Sequence, residues 1–234
     1  MYSLFIPVFN EEEILEENIL RVHDYASKLN LEHEVVIVSN GSDDGTVAIG
    51  ERLAKEHKWL KFFSLEEKGP GLSFVKGVKE ASGQWIITLD ADLSSELTFI
   101  EFARDLLPHA DMVVGSKTMG SQRRGLVRVI GSQTYILFTQ ILFNLTISDY
   151  SLGAKAYRRD AILPLLDNID HWTGYVFEIC AHIQGQGGKI IQVGIECDDT
   201  RVSRFNLFHE GFYRYKHLFN TFKKIRSSPN WLVE

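Results

Sequence analysis

Asp90 and Asp92 are the residues whose types and spacing point most directly to chemistry. They close the apolar run Trp85-Ile86-Ile87-Thr88-Leu89 as Asp90-Ala91-Asp92. Helix capping has no need of two carboxylates at that spacing, and in an extended segment they point the same way. Like charges so close repel unless a cation sits between them. Their hard oxygens suit Mg2+ or Mn2+, with pyrophosphate oxygens and water filling the octahedron. The plainer account is a solvated acidic turn; the position directly after a strand favours the metal. Two further polar sets follow apolar runs. In Pro7-Val8-Phe9-Asn10-Glu11-Glu12-Glu13, Asn10 suits the cap of the next helix and the glutamates its positive end. That accounts for the run with no ligand at all. In Ser39-Asn40-Gly41-Ser42-Asp43-Asp44-Gly45-Thr46, Asn-Gly gives a turn and Asp43 or Asp44 a second cap.

These sets need elements to hold them. The apolar runs predict strands at Tyr2–Val8, Glu34–Val38, Leu60–Leu65, Trp85–Leu89 and Met112–Gly115. Helical periodicity predicts helices over Glu11–Leu29, Asp44–His57, Gly71–Ala81 and Leu97–Leu107. Such alternation predicts an α/β fold, a mainly parallel central sheet with helices on both faces. Ligands of such sheets bind at the carboxyl ends of the strands, where the polar sets lie. The second half is less regular. Gly153–Tyr157 and Lys189–Gly194 read as strands, and Val176–Gln184 and Leu207–Arg226 as helices.

Composition narrows the classes. The 234 residues are 44% hydrophobic and 24% charged, as in an ordinary folded domain and unlike disordered or low-complexity chains. A net charge of −6 argues against a nucleic-acid partner. Two cysteines, Cys180 and Cys197, make neither a disulfide framework nor a zinc site, and suit a reducing compartment. Met-Tyr-Ser-Leu-Phe-Ile-Pro has no basic leader and no small-residue cleavage site, so a secretory leader is not expected.

In order, Pro-Val-Phe-Asn-Glu-Glu, Asn-Gly-Ser-x-Asp-Gly-Thr, Lys68-Gly69-x-Gly71 and Asp90-Ala91-Asp92 resemble the family 2 glycosyltransferases, inverting nucleotide-sugar transferases of GT-A fold. The likeness covers about residues 1–120. Downstream, Val114-Gly115-Ser116-Lys117, Asp149-x-Ser151-x-Gly153-Ala154-Lys155-Ala156-Tyr157, Gly174-Tyr175-x-Phe177-Glu178 and Arg201-x-Ser203-Arg204 look like the dolichyl- or polyprenyl-phosphate mannose or glucose synthase branch.

The resemblance implies one GT-A domain over 1–234: a nucleotide-sugar half at 1–120, an acceptor half at 121–206 and an amphipathic helix at 207–226. It implies that Pro7, Val8, Asn10 and Glu11 line the base and ribose pocket, bordered by Lys68 and Gly69. Ser39 and Asn40 stand where the family usually has paired aspartates. Asn40 can hydrogen-bond a base or ribose but carries no charge, which leaves guanosine or uridine open. Asp90, with Ala91, would lie near ribose or sugar, and Asp92 would hold the metal on the diphosphate. Ser94 replaces a third ligand. Lys117, where the branch usually has arginine, and Arg201, beside Ser203, would neutralise donor or acceptor phosphate; lysine lacks arginine's bidentate fork.

Three stretches bear on the acceptor. Arg123, Arg124 and Arg128 read either as a solvated turn and helix start or as an acceptor loop gripping a lipid phosphate. Val129 to Ile147 carries no charge, but Gln133, Thr134, Thr139, Gln140 and Asn144 would be costly in lipid. A core helix or an interfacial helix is therefore expected there, not a membrane span. Phe208, Phe212, Tyr215, Phe219 and Phe222 recur at helical spacing amid basic residues. That helix either docks its aromatic stripe on the core or lies in the plane of a membrane.

The expected reaction is inverting transfer of a hexose from a GDP- or UDP-sugar to a polyprenyl or dolichyl phosphate. A lipid monophosphate is already anionic and attacks unaided, whereas a sugar hydroxyl needs a base. Polysaccharide-type relatives carry an acidic pair and a Gln-x-x-Arg-Trp segment; this chain has Phe177-Glu178 alone and no such segment. Glu178 is the candidate base if the acceptor is a glycan hydroxyl, and otherwise a buried partner for a nearby arginine. A non-catalytic nucleotide-sugar-binding subunit is the third reading. A cytoplasmic location is expected, peripheral at a membrane face or through a membrane partner subunit.

Overall fold

Short β-branched runs and amphipathic helices alternate through the first half, and the structure pairs the strands accordingly. The structure, a computed structural model, describes residues 1–117, 119, 126–197 and 207–227, without the side chains of 126–130, 207–209 and 226–227. The strands are β1 (Tyr2–Val8), β2 (His33–Asn40), β3 (Leu60–Leu65), β4 (Trp85–Thr88), β5 (Met112–Ser116), β6 (Lys155–Arg158) and β7 (Ile190–Gly194). The helices are α1 (Leu15–Lys28), α2 (Thr46–Glu56), α3 (Pro70–Glu80), α4 (Phe99–Leu106), α5 (Leu126–Phe143), α6 (Arg159–Ile162), α7 (Tyr175–Gly185) and α8 (Leu207–Ser227). The sheet order is β3-β2-β1-β4-β6-β5-β7. Only β6 runs against its neighbours β4 and β5.

Period-two alternation sends successive side chains to opposite faces. Leu4, Ile6 and Val8 of β1 pack with Leu15, Ile19 and Val22 of α1 and Phe99 and Ile100 of α4. Phe5 turns the other way, to Phe74 and Val78 of α3 and the layer built by α5, α7 and α8. Both faces are covered, as a largely parallel sheet requires.

The helix after β1 starts at Leu15, not at Glu11, and Asn10 does not cap it. Asn10 sits in the left-handed region at φ 54°. The amides of Glu11 and Glu12 are instead donated sideways, to Thr46 Oγ1 at 2.8 Å and Asp44 Oδ2 at 3.3 Å. The second loop supplies acceptors that a cap would otherwise provide, so 11–14 makes a turn and the helix begins later. Neither of the two aspartates offered as a cap for α2 is its N-cap, which is Gly45, but Asp44 just before it accepts from the first helical amide, Thr46, through Oδ1 at 2.9 Å. The short helical turns Arg159–Ile162 and Leu163–Leu165 after β6 carry no periodicity long enough to read in advance.

Candidate active site

The carboxyl ends of β1 and β2 are laced into one rim. Asn10 and Asp43 grip each other reciprocally: Asn10 Nδ2 donates to Asp43 Oδ1 at 2.5 Å and the Asp43 amide to Asn10 Oδ1 at 2.9 Å. Glu12 Oε2 accepts from the Gly45 amide at 2.6 Å. Pro7 and Val8 pair with Val38 and Ser39 at the ends of the two strands. Ser39 is fully buried and donates to Ser42 Oγ at 2.9 Å. Asn40 Oδ1 accepts from the Gly69 amide at 2.6 Å, tying β2 to the start of α3. Lys68 Nζ stands 4.1 Å from the centroid of the Phe9 ring, a cation–π contact across the same rim. Thus Pro7, Val8, Asn10, Glu11, Ser39, Asn40, Lys68 and Gly69 are brought together.

Asp90 and Asp92 follow β4, next to β1. Their segment is a turn rather than extended chain: the Leu93 amide donates to the Asp90 carbonyl at 3.1 Å, and Leu93 has φ 51°. Three outside contacts seat this turn. Asn18 of α1 donates through Nδ2 to the buried Ala91 carbonyl at 2.9 Å. Asp90 Oδ2 accepts from the Gly153 amide at 3.1 Å and from Ser95 Oγ at 3.2 Å. A Cβ on residue 153 would fall 2.2 Å from Asp90 Oδ1, so only glycine lets the two segments meet. Asp92 Oδ1 accepts from the Ser94 amide at 3.0 Å. Burial, reinforced by the Asp92 carboxylate, pushes Asp90 up to about 6.

That electrostatic demand fits a hard divalent cation. Among the described residues no group of three His, Cys, Asp or Glu gathers, so two carboxylates are the available set. Such a set fits an ion that completes its shell with diphosphate oxygens and water.

The loop that presses on Asp90 is organised by Asp149, a buried residue whose role the sequence did not reveal. Asp149 Oδ1 accepts from the amides of Ser151 and Leu152 at 2.8 and 3.2 Å. Lys117 is 2% exposed; its Nζ donates to Ser151 Oγ at 2.9 Å and lies 3.7 Å from Asp149 Oδ2. Lys117 therefore anchors this loop and does not face open solvent. Lys155, 1% exposed, donates to the Leu152 carbonyl below it. Burial pulls its pKa down, while Asp149 and Asp90 hold it up.

Glu178 lies on α7 and is 1% exposed. It accepts from the Asp170 amide at 2.6 Å and pairs with His217 of α8 at 3.0 Å, so its partner is a histidine rather than an arginine. The 170–174 segment leans on α3: the amides of Gly71 and Leu72 donate to the carbonyls of Trp172 and His171 at 2.9 and 3.0 Å. Arg123, Arg124, Arg201 and Ser203 lie outside the described residues, as does the side chain of Arg128.

The profile of glycosyl transferase family 2 matches residues 3–166, which spans all three strand-end motifs. The chain belongs to glycosyl transferase family 2. The family 2 chain is 24% identical to glycosyltransferase AglD of Haloferax volcanii over 86% of its length and 34% of that protein's. It is 30% identical to the undecaprenyl-phosphate 4-deoxy-4-formamido-L-arabinose transferase of Pseudomonas fluorescens, over 70% of its length and 48% of that protein's. It thus spans half or less of these curated relatives. Among solved structures, the glucosyl-3-phosphoglycerate synthase of Mycobacterium tuberculosis with Mn2+, UDP-glucose and phosphoglyceric acid superposes with a TM-score of 0.70 at 18% identity. That match covers 95% of the family 2 chain and 78% of the synthase, and the fold is GT-A.

Proposed function

We propose that this chain transfers a hexose, with inversion, from a nucleoside-diphosphate sugar to a polyprenyl phosphate. The observation that carries the proposal is the Asp90–Asp92 turn, seated by Asn18 and Gly153 beside the interlocked β1 and β2 loops. In this reading residues 1–120 form the nucleotide-sugar half, 121–206 the acceptor half and 207–226 an amphipathic appendage. Asp92, with Asp90 beside it, would hold Mg2+ or Mn2+, which neutralises the departing nucleoside diphosphate. Pro7, Val8, Asn10 and Glu11 form the base and ribose side, closed by Lys68 and Gly69. Asn40 serves by fixing Gly69, and Ser39 by fixing Ser42, in place of contacts from two aspartates. Lys117 acts through Asp149 as a positioning residue. Arg201 remains the proposed phosphate contact, with Ser203, Arg123, Arg124 and Arg128 on the acceptor side.

The acceptor choice follows from Glu178. A hydroxyl nucleophile needs a proton acceptor, and both Glu178 oxygens are already engaged, by His217 and the Asp170 amide. A phosphate monoester carries its charge into the reaction and needs none. The Pseudomonas relative, an undecaprenyl-phosphate 4-deoxy-4-formamido-L-arabinose transferase, supports the same acceptor class. A hydroxyl acceptor is the second reading, favoured by the 33% identity over 99 residues to the cholesterol galactosyltransferase of Borreliella burgdorferi. Such a chain would work at a membrane face, alone or with a membrane partner; among the described residues no helix is long and apolar enough to cross one. Incubation with labelled nucleotide-sugars, Mn2+ and polyprenyl phosphate should yield an acid-labile lipid product. Asp92→Asn should lower that yield by roughly 10²-fold or more. Unchanged turnover in Asp92→Asn would sink the metal assignment, and an acid-stable product the phosphate acceptor.

A further inference from the structure

Helices α5 and α8 leave large apolar side chains in solvent on one shared face. On α5, Leu137 is 53% and Ile141 68% exposed; on α8, Phe212 is 73% and Phe219 44% exposed. Ring contacts join the two helices: Phe138 meets Tyr215 and Phe219 with centroids 5.8 and 6.1 Å apart. The inner sides are satisfied, since Tyr135, Ile136 and Thr139 of α5 and Leu218 and Thr221 of α8 are buried. The outward apolar groups are therefore surplus to packing, and as a joined patch they differ from the single exposed side chains found on any surface.

Charge says what covers them. Residues 112–148 and 211–233 contain no aspartate or glutamate, and they are the two longest acid-free stretches of a chain whose net charge is −6. They supply α5 and nearly all of α8. The second stretch carries Arg214, Lys216, Lys223, Lys224 and Arg226. On α8 the outward stripe reads Phe212, Lys216, Phe219, Lys223, spaced four, three and four residues apart, and Lys224 is exposed beside it. Phenylalanines in a basic stripe match the boundary of an acidic bilayer, with rings at the acyl edge and ammonium groups rising to the headgroups. A second copy fits less well, because a two-fold contact places each lysine stripe near its symmetry mate.

We propose that the outward face of α5 and α8 docks this chain in-plane on an anionic lipid bilayer. The proposal rests on the reading above and gives its lipid acceptor a location, but vesicle binding itself is read without acceptor or donor. The probe is the full chain co-sedimented with vesicles of phosphatidylcholine, with or without phosphatidylglycerol. Binding should require phosphatidylglycerol and weaken as salt rises. Phe212→Ser with Phe219→Ser should weaken it by roughly tenfold or more per ring. Lys216→Gln, Lys223→Gln and Lys224→Gln together should weaken it by about 10²-fold. Donor-dependent stabilisation in vesicle-free buffer should be unchanged in both variants, showing that they fold. No sedimentation of the native chain with acidic vesicles overturns the proposal. So does a phenylalanine variant that binds vesicles as before while a native dimer falls apart in ultracentrifugation. If vesicles bind but no lipid-linked sugar forms, only the acceptor reading fails. If a short, water-soluble prenyl phosphate is glycosylated while vesicles do not bind, only the docking face fails.

Discussion

Gly153 illustrates how much one position controls at the scale of residues. Its missing side chain lets the Asp149–Gly153 loop touch Asp90, and its amide holds Asp90 Oδ2 at 3.1 Å. Gly153→Ala would place a methyl 2.2 Å from Asp90 Oδ1 and push the carboxylate aside. Displacements of that size cost about 10²-fold in rate where geometry is critical. The expected outcome is that loss, with the metal concentration for half-maximal rate raised and the Mn2+-free melting temperature lowered by only a few degrees. Equal metal dependence in variant and native chain would separate Gly153 from the ion. Asn18 was as unreadable as Gly153 in advance. An asparagine on an amphipathic helix announces nothing until the Ala91 carbonyl is found above it.

At the scale of elements, α8 is joined to the rest of the chain by polar contacts rather than by its aromatic stripe alone. The stripe, expected either on the core or in the plane of a membrane, is split: Tyr215 reaches Tyr135 and Phe222 reaches Phe143, while Phe212 and Phe219 turn outward. Glu210 accepts from Trp172 Nε1 at 3.0 Å, Tyr213 donates to Asp170 at 2.5 Å and His217 meets Glu178 at 3.0 Å. Burial disfavours the imidazolium of His217, but the Glu178 carboxylate outweighs it and the pKa lies above the ordinary 6.5. A raised histidine stabilises the fold fully below its unfolded value and loses that contribution as pH rises through the folded one. The melting temperature should therefore fall as pH climbs from 6.5 through the raised value, apart from other groups. His217→Gln should flatten that slope and be least stable, relative to the native chain, on the acid side. A difference curve between the two proteins that is level across this window would refute the pairing.

At the scale of the whole molecule, the 170–174 segment crosses α3 and ties distant parts of the chain together. The Gly71 amide donates to the Trp172 carbonyl at 2.9 Å, and a Cβ on Gly71 would lie 2.1 Å from the Asp170 carbonyl oxygen. Backbone cannot yield as a side-chain tip can, so Gly71→Ala should cost about 1–3 kcal/mol. For a chain of this size that is roughly 2–4 °C in melting temperature per kcal/mol, readable by calorimetry. A variant melting with the native chain would show that the crossing is loose.

The helices were legible because each carries a period near 3.6, and the strands because strands buried on both faces read as short, nearly continuous apolar runs. The strand-end motifs were legible for a related reason: a polar run after an apolar one must sit at a sheet edge in a parallel fold. By itself, then, the sequence determined the α/β alternation, the Asp90–Asp92 pair at the end of β4 and the family those motifs belong to. Only the tertiary structure decided that β6 runs antiparallel, that Asn10 joins Asp43 instead of capping a helix, and that Lys117 and Glu178 are buried with partners. Each of these is a contact between residues far apart in the chain. Which donor meets which acceptor there depends on how the sheet brings the loops together, and no local spacing records it.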